Sequence, residues 1–251
     1  MCKIRVKDNS FLCLELYIKT VLITVVMSCV CSTCRAQQLL GTSGLMNVPT
    51  AEMYASGTFK GGASLVQKEL LSDRFNYNTG IYYVDFTPFS FMEITFRETL
   101  LKTRKGDKTG FYQQDRSTTL RLRPLKEKEG RWFPSVVLGV NDIYSDHGTS
   151  NYAAVYGVIT KNFPLGKVGT LGVTAGFAKA FDEGDAYDGV LGGVRFTPAA
   201  VKNASVMAEY DTRGFNIGAS VLLFKHLNLM CFTREFTGVC AGISYQYTIR
   251  Y

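Results

Sequence analysis

The charged residues of this chain alternate with apolar ones, which is where any chemistry must start. Glu93 and Arg97 alternate with Met92, Ile94 and Phe96, and Arg121 and Arg123 with Leu120 and Leu122. Glu209 and Asp211 alternate with Val206, Ala208 and Tyr210; Asn141 follows Val140, and Arg250 lies between Ile249 and Tyr251. In an extended strand, sequence neighbours point to opposite faces. One face then carries carboxylates, guanidinium groups and an amide, and the other carries hydrocarbon and aromatic rings. Such a polar face can line a path for a hydrophilic chain, or it can close on itself as a network of salt bridges. The sequence allows both.

Catalysis is a poorer fit. A hydrolase needs a nucleophile beside a base, yet the histidines are two, His147 in an expected loop and His226 at an expected strand start. No HExxH, GxSxG or P-loop pattern surrounds them. Neither enzyme activity nor a cofactor is expected. Asp182, Glu183, Asp185 and Asp188 make an acidic loop whose oxygens could approach Ca²⁺. Their spacing departs from that of an EF-hand, so a solvated loop is expected and no metal site is assigned.

Residues 1–36 differ in character from the rest. Lys3, Arg5 and Lys7 precede an apolar run from Val21 to Met27, and the small residues Cys34 and Ala36 fit a cleavage site before Gln37. The run is well short of the ~20 residues of a spanning helix. A signal peptide over 1–36 is expected. Val26-Met27-Ser28-Cys29 offers the alternative of a lipidated Cys29. Without this segment the chain keeps 23 of its 28 basic and 19 of its 21 acidic residues. No basic block interleaved with aromatics remains, so nucleic acid is not an expected partner. Five of the seven cysteines also lie in the segment. Cys231 and Cys240 remain, as a disulfide of an exported protein or as two thiols.

The elements that position the charges follow from the period. No later segment reaches 18 continuous apolar residues, so no helical membrane span is expected. Alternation of period two recurs near 57–66, 76–86, 90–97, 116–123, 134–142, 151–160, 169–178, 188–197, 204–211, 214–224, 226–234 and 238–251. That makes about twelve strands, with a range of 10–14; single-chain bacterial barrels have an even number. Backbone groups in hydrocarbon find no water, so such a sheet must close. The expected fold is all-β, an antiparallel transmembrane β-barrel over residues 37–251, placed in the bacterial outer membrane.

Two further features bear on that expectation. Val239, Ala241, Ile243, Tyr245, Tyr247, Ile249 and Tyr251 share one face of the last segment. Tyr247, Ile249 and Tyr251 are the expected C-terminal signal for the barrel-assembly machinery. The connectors also alternate in length. The longest, 98–115, is expected as an external loop, while 87–89 and 225 are expected as short periplasmic turns. The inner connector at 124–133 is longer than that rule expects.

A family resemblance rests on several segments in order. The first runs Gly41-Thr42-Ser43-Gly44-Leu45-Met46-Asn47-Val48-Pro49-Thr50-Ala51, then Gly57-Thr58-Phe59. Phe86-Thr87-Pro88-Phe89-Ser90-Phe91-Met92-Glu93-Ile94-Thr95-Phe96-Arg97 follows, and then Pro134 through Ile143. Tyr152, Tyr156, Thr160-Lys161-Asn162-Phe163 and Ala208-Glu209-Tyr210-Asp211 complete the set. In order and spacing, residues 41–211 resemble the YjbH family of outer-membrane proteins, linked to exopolysaccharide production and export. Typical members are longer, with a second barrel-like half, and Asn141 stands where the resemblance leads one to expect arginine. The resemblance implies a barrel that assists exopolysaccharide secretion or surface assembly. Its expected partners are outer-membrane lipid, the barrel-assembly machinery, the exopolysaccharide and periplasmic export components. The inward residues Glu93, Arg97, Arg121, Arg123, Asn141, Glu209, Asp211 and Arg250 would then meet sugar hydroxyls or uronate carboxylates. The alternative is a non-conducting structural barrel that presents loops or anchors a complex.

Overall fold

A computed structural model describes residues 37–71, 76–128, 130–145, 152–182 and 186–249. The expectations for the segment 1–36, for His147, Glu183 and Asp185, and for Arg250 and Tyr251 concern residues outside these. Twelve antiparallel strands close into a barrel in simple sequence order, with the first strand paired to the last. They are β1 Thr58–Val66, β2 Thr79–Phe89, β3 Met92–Lys105, β4 Lys108–Leu125, β5 Ser135–Ser145 and β6 Ala154–Pro164. The circuit continues with β7 Gly169–Ala180, β8 Gly189–Pro198, β9 Ala204–Asp211, β10 Phe215–Leu223, β11 Leu227–Arg234 and β12 Gly238–Thr248. Among the described residues, no helix is long and apolar enough to cross a membrane.

The alternation of the sequence becomes the two faces of this wall. Along β3, Glu93, Thr95, Arg97 and Thr99 are buried inside, while Phe96 is exposed outside. Along β10, Asn216 and Ser220 are buried while Phe215 and Ile217 are exposed. The middle of the exterior carries Val84, Leu122, Leu138, Ile159, Val194, Val206, Ile217 and Ile243. Aromatic rings bound this belt on both sides. At the end holding the short turns, Phe59 stacks on Phe86 at 4.1 Å and Phe89 on Phe91 at 5.4 Å, with Phe163, Phe224 and Tyr247 nearby around the rim. At the opposite, loop end stand Tyr144, Phe177, Phe181 and Phe236, and Tyr210 meets Phe215 at 5.1 Å.

One expectation is corrected. The connector 98–115 is not a loop: β3 and β4 continue as a ladder from Glu98↔Arg116 to Lys105↔Lys108. They join through Gly106 and Asp107, with Gly106 at φ +63°. A two-residue hairpin needs positive φ at its first or both central positions, and glycine supplies it without steric cost. The polar residues that read as a loop are simply strand residues with water on both faces.

The open question of the cysteines is answered by the same alternation. Cys231 is exposed on the exterior and Cys240 is buried inside, and both are free thiols. Cys231 opposes Ala241, and Cys240 opposes Phe232. The two sulfurs therefore lie on opposite sides of the wall.

Candidate functional site

A barrel of twelve strands encloses more room than its own inward side chains fill. Here the chain fills it with residues 37–54. From Gln37 to Ala51 nearly every residue is buried, including Leu39, Leu40, Leu45, Met46 and Val48, and Met53 follows. This stretch has no charged residue before Glu52 and no alternation. It folds as a compact strap. Leu39 N–H donates to Met46 O at 2.7 Å and Leu45 N–H to Val48 O at 2.8 Å, with bridges Gln37↔Ser43 and Gly44↔Pro49. Gly41 sits at φ +94°, and a Cβ there would come within 2.5 Å of the Tyr83 ring. Only glycine fits that position.

Four of the interior charges, Glu93, Arg121, Glu209 and Asp211, receive the strap. Glu209 accepts the backbone N–H groups of Met46, Asn47 and Val48 at 2.9, 2.6 and 3.2 Å, and Asn216 Nδ2 at 2.8 Å. Glu93 accepts Ser43 N–H and Oγ–H at 2.8 and 3.0 Å and is paired with Arg121. Arg121 also donates to Thr50 O. Asp211 accepts Asn47 Nδ2 at 2.8 Å and is held by Arg234 at 2.7 Å. Hydrogen bonds to a buried carboxylate contribute about 1.5–3 kcal/mol each. The backbone of the strap thus finds inside the wall the partners it would otherwise find in water.

Other inward groups close the remaining gaps. Arg97 pairs with Asp142, and its guanidinium lies 5.3 Å from the Tyr152 ring. Thr119 Oγ1 donates to Asn141 Oδ1 at 3.3 Å, and Arg123 donates to Ser90 O. Lys60 lies 3.4 Å from Asp85 and 4.3 Å from the centre of the Tyr54 ring. Where the strap leaves the interior, Arg195 grips Glu52 through two bonds of 2.6 and 2.7 Å. Asn162 joins Glu52 to Glu127 at 3.1 Å on each side, so the strap is tied to the long connector between β4 and β5.

A loop residue completes the enclosure. Tyr187, before β8, donates its hydroxyl hydrogen to Asn47 O and accepts one from Gln38 Nε2. Burial, and then the nearby Tyr152 and Asp211, push its pKa well above the ordinary phenol value. Its hydroxyl therefore stays a donor. The short 3₁₀ turn Lys68–Leu70 buries Leu70, and Arg213 donates to Leu71 O at 2.6 Å over the same mouth.

The structure thus places Glu93, Arg97, Arg121, Arg123, Asn141, Glu209 and Asp211 inside: Glu93, Arg121, Glu209 and Asp211 meet the strap, while Arg97 meets Asp142, Asn141 meets Thr119 and Arg123 meets Ser90 O. Tyr247 and Ile249 are exposed on the exterior. His226 Nδ1–H donates to Gln246 O at 2.8 Å beside the Tyr245 and Tyr247 rings, a turn contact. Asp188 is engaged by Lys179 at 2.9 Å. Among the described residues no three His, Cys, Asp or Glu side chains gather to hold a metal.

Several partners escaped the sequence reading. Lys60, Asp85, Arg195 and Arg234 obey the alternation that marked the others, so the same rule could have found them. Asp142 does not. It sits next to the inward Asn141 and turns inward as well, because it adopts φ +57° where the ladder to β4 slips register. Aspartate is among the few residues that tolerate this conformation.

These geometries meet one comparison. The family described as exopolysaccharide biosynthesis protein YbjH, the YjbH family, matches residues 36–247. The chain belongs to the YjbH family. That membership associates it with exopolysaccharide biosynthesis. A search of the curated proteins finds no match. Segments that carried the YjbH resemblance meet inside: residues 41–51 form most of the strap, and Glu93, Glu209 and Asp211 are among its receptors.

Proposed function

We propose that this YjbH-family protein is an outer-membrane barrel that assists exopolysaccharide secretion or surface assembly, with its lumen held shut by residues 37–54. The observation that supports the membrane reading is the exterior belt. Its middle is apolar or small on every strand, and aromatic rings bound it at both ends. From Phe215 to Phe224 the belt runs nine residue-to-residue steps, or roughly 30 Å along the strand. Tilted as barrel strands are, that covers about the 25 Å expected of an outward apolar band. The exterior charges Glu98, Arg116 and Lys179 lie toward the loop end and Lys161 toward the turn end, outside the band. Cleavage after Ala36 would leave Gln37, already buried beside Ser244, as the first residue of the strap.

The strap favours a second reading within the same membrane assignment: a non-conducting barrel that presents loops or anchors a complex. In either reading the protein is not an enzyme. The two readings part on whether the strap ever leaves. Fractionation comes first: the protein should remain in the outer membrane and shift its gel mobility on boiling, and recovery as soluble protein without detergent would sink the membrane reading. Planar-bilayer conductance and secreted polymer should then be measured for wild type and for Glu93→Gln with Glu209→Gln. A conduit predicts higher conductance in the double variant and altered polymer release. Silent bilayers and unchanged release favour the anchor.

A further inference from the structure

The hairpin of β3 and β4 does more than close the barrel. Its last backbone rung with β2 is Ile81↔Thr99, and its last with β5 is Ser117↔Ser145. Beyond them, among the described residues, the two strands pair only with each other as far as Lys105↔Lys108. From Thr99 to Lys105 this is a ribbon roughly 20 Å long. A lone two-stranded ribbon in water is at best marginally stable, since it has no core to bury. What it presents is therefore informative.

The ribbon presents cations and flat rings. Lys102, Arg104, Lys105 and Lys108 are exposed along it, against Asp107 as the one acidic residue between Lys102 and Gln114. Arg104 is 3.9 Å from Asp107 in a fully solvated pair. Among the described residues no acidic side chain pairs with Lys102, Lys105 or Lys108. Phe111 and Tyr112 are each 49% exposed. The Tyr112 ring lies over Gly110, where a Cβ would come within 3.0 Å of Cζ. Glycine lets one ring face rest on the backbone and leaves the other open. Phe111 is steadied by the edge of Tyr77 at 6.0 Å, and Lys102 N–H donates to Tyr77 Oη at 3.0 Å, so the base of the ribbon is fixed.

We propose that this ribbon binds an anionic polysaccharide, a chain bearing carboxylate groups on its sugar rings. Aromatic faces accept the C–H face of a pyranose, and flanking ammonium and guanidinium groups pair with its carboxylates. The phosphates of membrane lipid are the competing source of negative charge. The cations concentrate at the tip, past the last rung shared with the barrel and away from the exterior belt, which favours a polymer over headgroups. This inference rests on the exopolysaccharide reading above and names the class of polymer.

The test uses the full mature chain purified in detergent, with polygalacturonate as the acidic probe, dextran as the neutral one, and lipopolysaccharide micelles as the lipid source. Wild type should bind polygalacturonate and not dextran, with affinity falling steeply as salt rises. Changing Lys102, Arg104, Lys105 and Lys108 together to Gln should weaken binding at least tenfold while heat-shifted mobility is kept. Tyr112→Ser should weaken binding severalfold and leave the salt slope unchanged. Equal binding by the quadruple variant, or no preference for polygalacturonate over dextran, overturns the proposal. Binding to lipopolysaccharide alone also overturns it and assigns the ribbon to headgroups. Loss of the gene with no change in exported polymer would instead defeat the functional reading, and the binding result would stand apart from it.

Discussion

The backbone N–H of Asn47 donates to the Glu209 carboxylate at 2.6 Å, across 162 positions of sequence. Met46 and Val48 donate to the same carboxylate from either side. Three successive amides that converge on one anion form a concave nest, and this one grips a residue of the wall instead of a free ion. The strap is thus held here mainly by its backbone, with the Asn47 side chain adding one bond to Asp211. Its hold depends on the charge and reach of Glu209.

Glu209→Ala should therefore release the strap at this point. It strands three amides, while Asn216 Nδ2 keeps its bond to Asp211 at 2.9 Å, and each unsatisfied buried donor costs about 1–3 kcal/mol. Glu209→Gln keeps one acceptor oxygen and should cost less. The temperature at which gel mobility shifts should fall in the order wild type, Gln, Ala, and a protease should cut within 37–54 in the Ala variant. An Ala variant as resistant as wild type would show that the nest does not hold the strap.

Gly41 makes a second, independent test of the strap. Gly41→Ala must adopt φ +94° with a side chain, and its Cβ must displace the Tyr83 ring. A residue strained in this way costs about 1–3 kcal/mol. Gly41→Ala should lower the mobility-shift temperature, and adding Tyr83→Ala should relieve the clash but not the backbone strain. Full recovery in the double variant would mean that the conformation at residue 41 differs from the one described.

Most of the wall was legible in the sequence because period-two alternation has one physical cause, a sheet with unlike faces. The strand sequences around Leu120–Leu122 and Val206–Tyr210 express it without interruption. The strap was not legible. Gln37–Ala51 lies within a closed wall and is buried on every side, so it has no period. Its two glycines and its lack of charge were the only signals. Asp142 was hidden for another reason: a register slip breaks the rule at the residue that matters. The tip of the β3–β4 ribbon, solvated on both faces, has no alternation to display, although Lys105-Gly106-Asp107-Lys108 carries a two-residue hairpin signal.

The cysteines offer a chemical check of the wall. Cys231 and Cys240 should give no shift between reducing and non-reducing gels. In detergent, a small apolar maleimide should label Cys231 quickly and Cys240 only after heating, because Cys240 is buried inside. Labelling of both at one rate in the folded form, or a crosslink between them, would contradict the placement of β11 and β12.

The sharpest test compares neighbours on one strand. Leu120 faces outward and Arg121 inward, opposite Ile94 and Glu93 on β3. If the belt meets lipid, Leu120→Arg places a charge there at a cost of about 2–4 kcal/mol near the midplane. From the sequence alone, Arg121→Leu would be the benign change of the two. The structure alters that expectation, since Arg121 is fully buried, pairs with Glu93 and donates to Thr50 O. Removing one partner of a buried pair costs about 3–5 kcal/mol, whereas replacing both with apolar residues is often neutral. Arg121→Leu should therefore be as harmful as Leu120→Arg, and Arg121→Leu combined with Glu93→Leu should recover part of the loss, short of the bonds to Ser43 and Thr50. Leu120→Arg should find no such rescue in Glu93→Leu, because Glu93 lies on the other face. Membrane levels and mobility-shift temperatures of the four variants decide it. A rescue of Leu120→Arg by Glu93→Leu, or a double interior variant worse than the sum of its parts, would reverse the facing of β3 and β4.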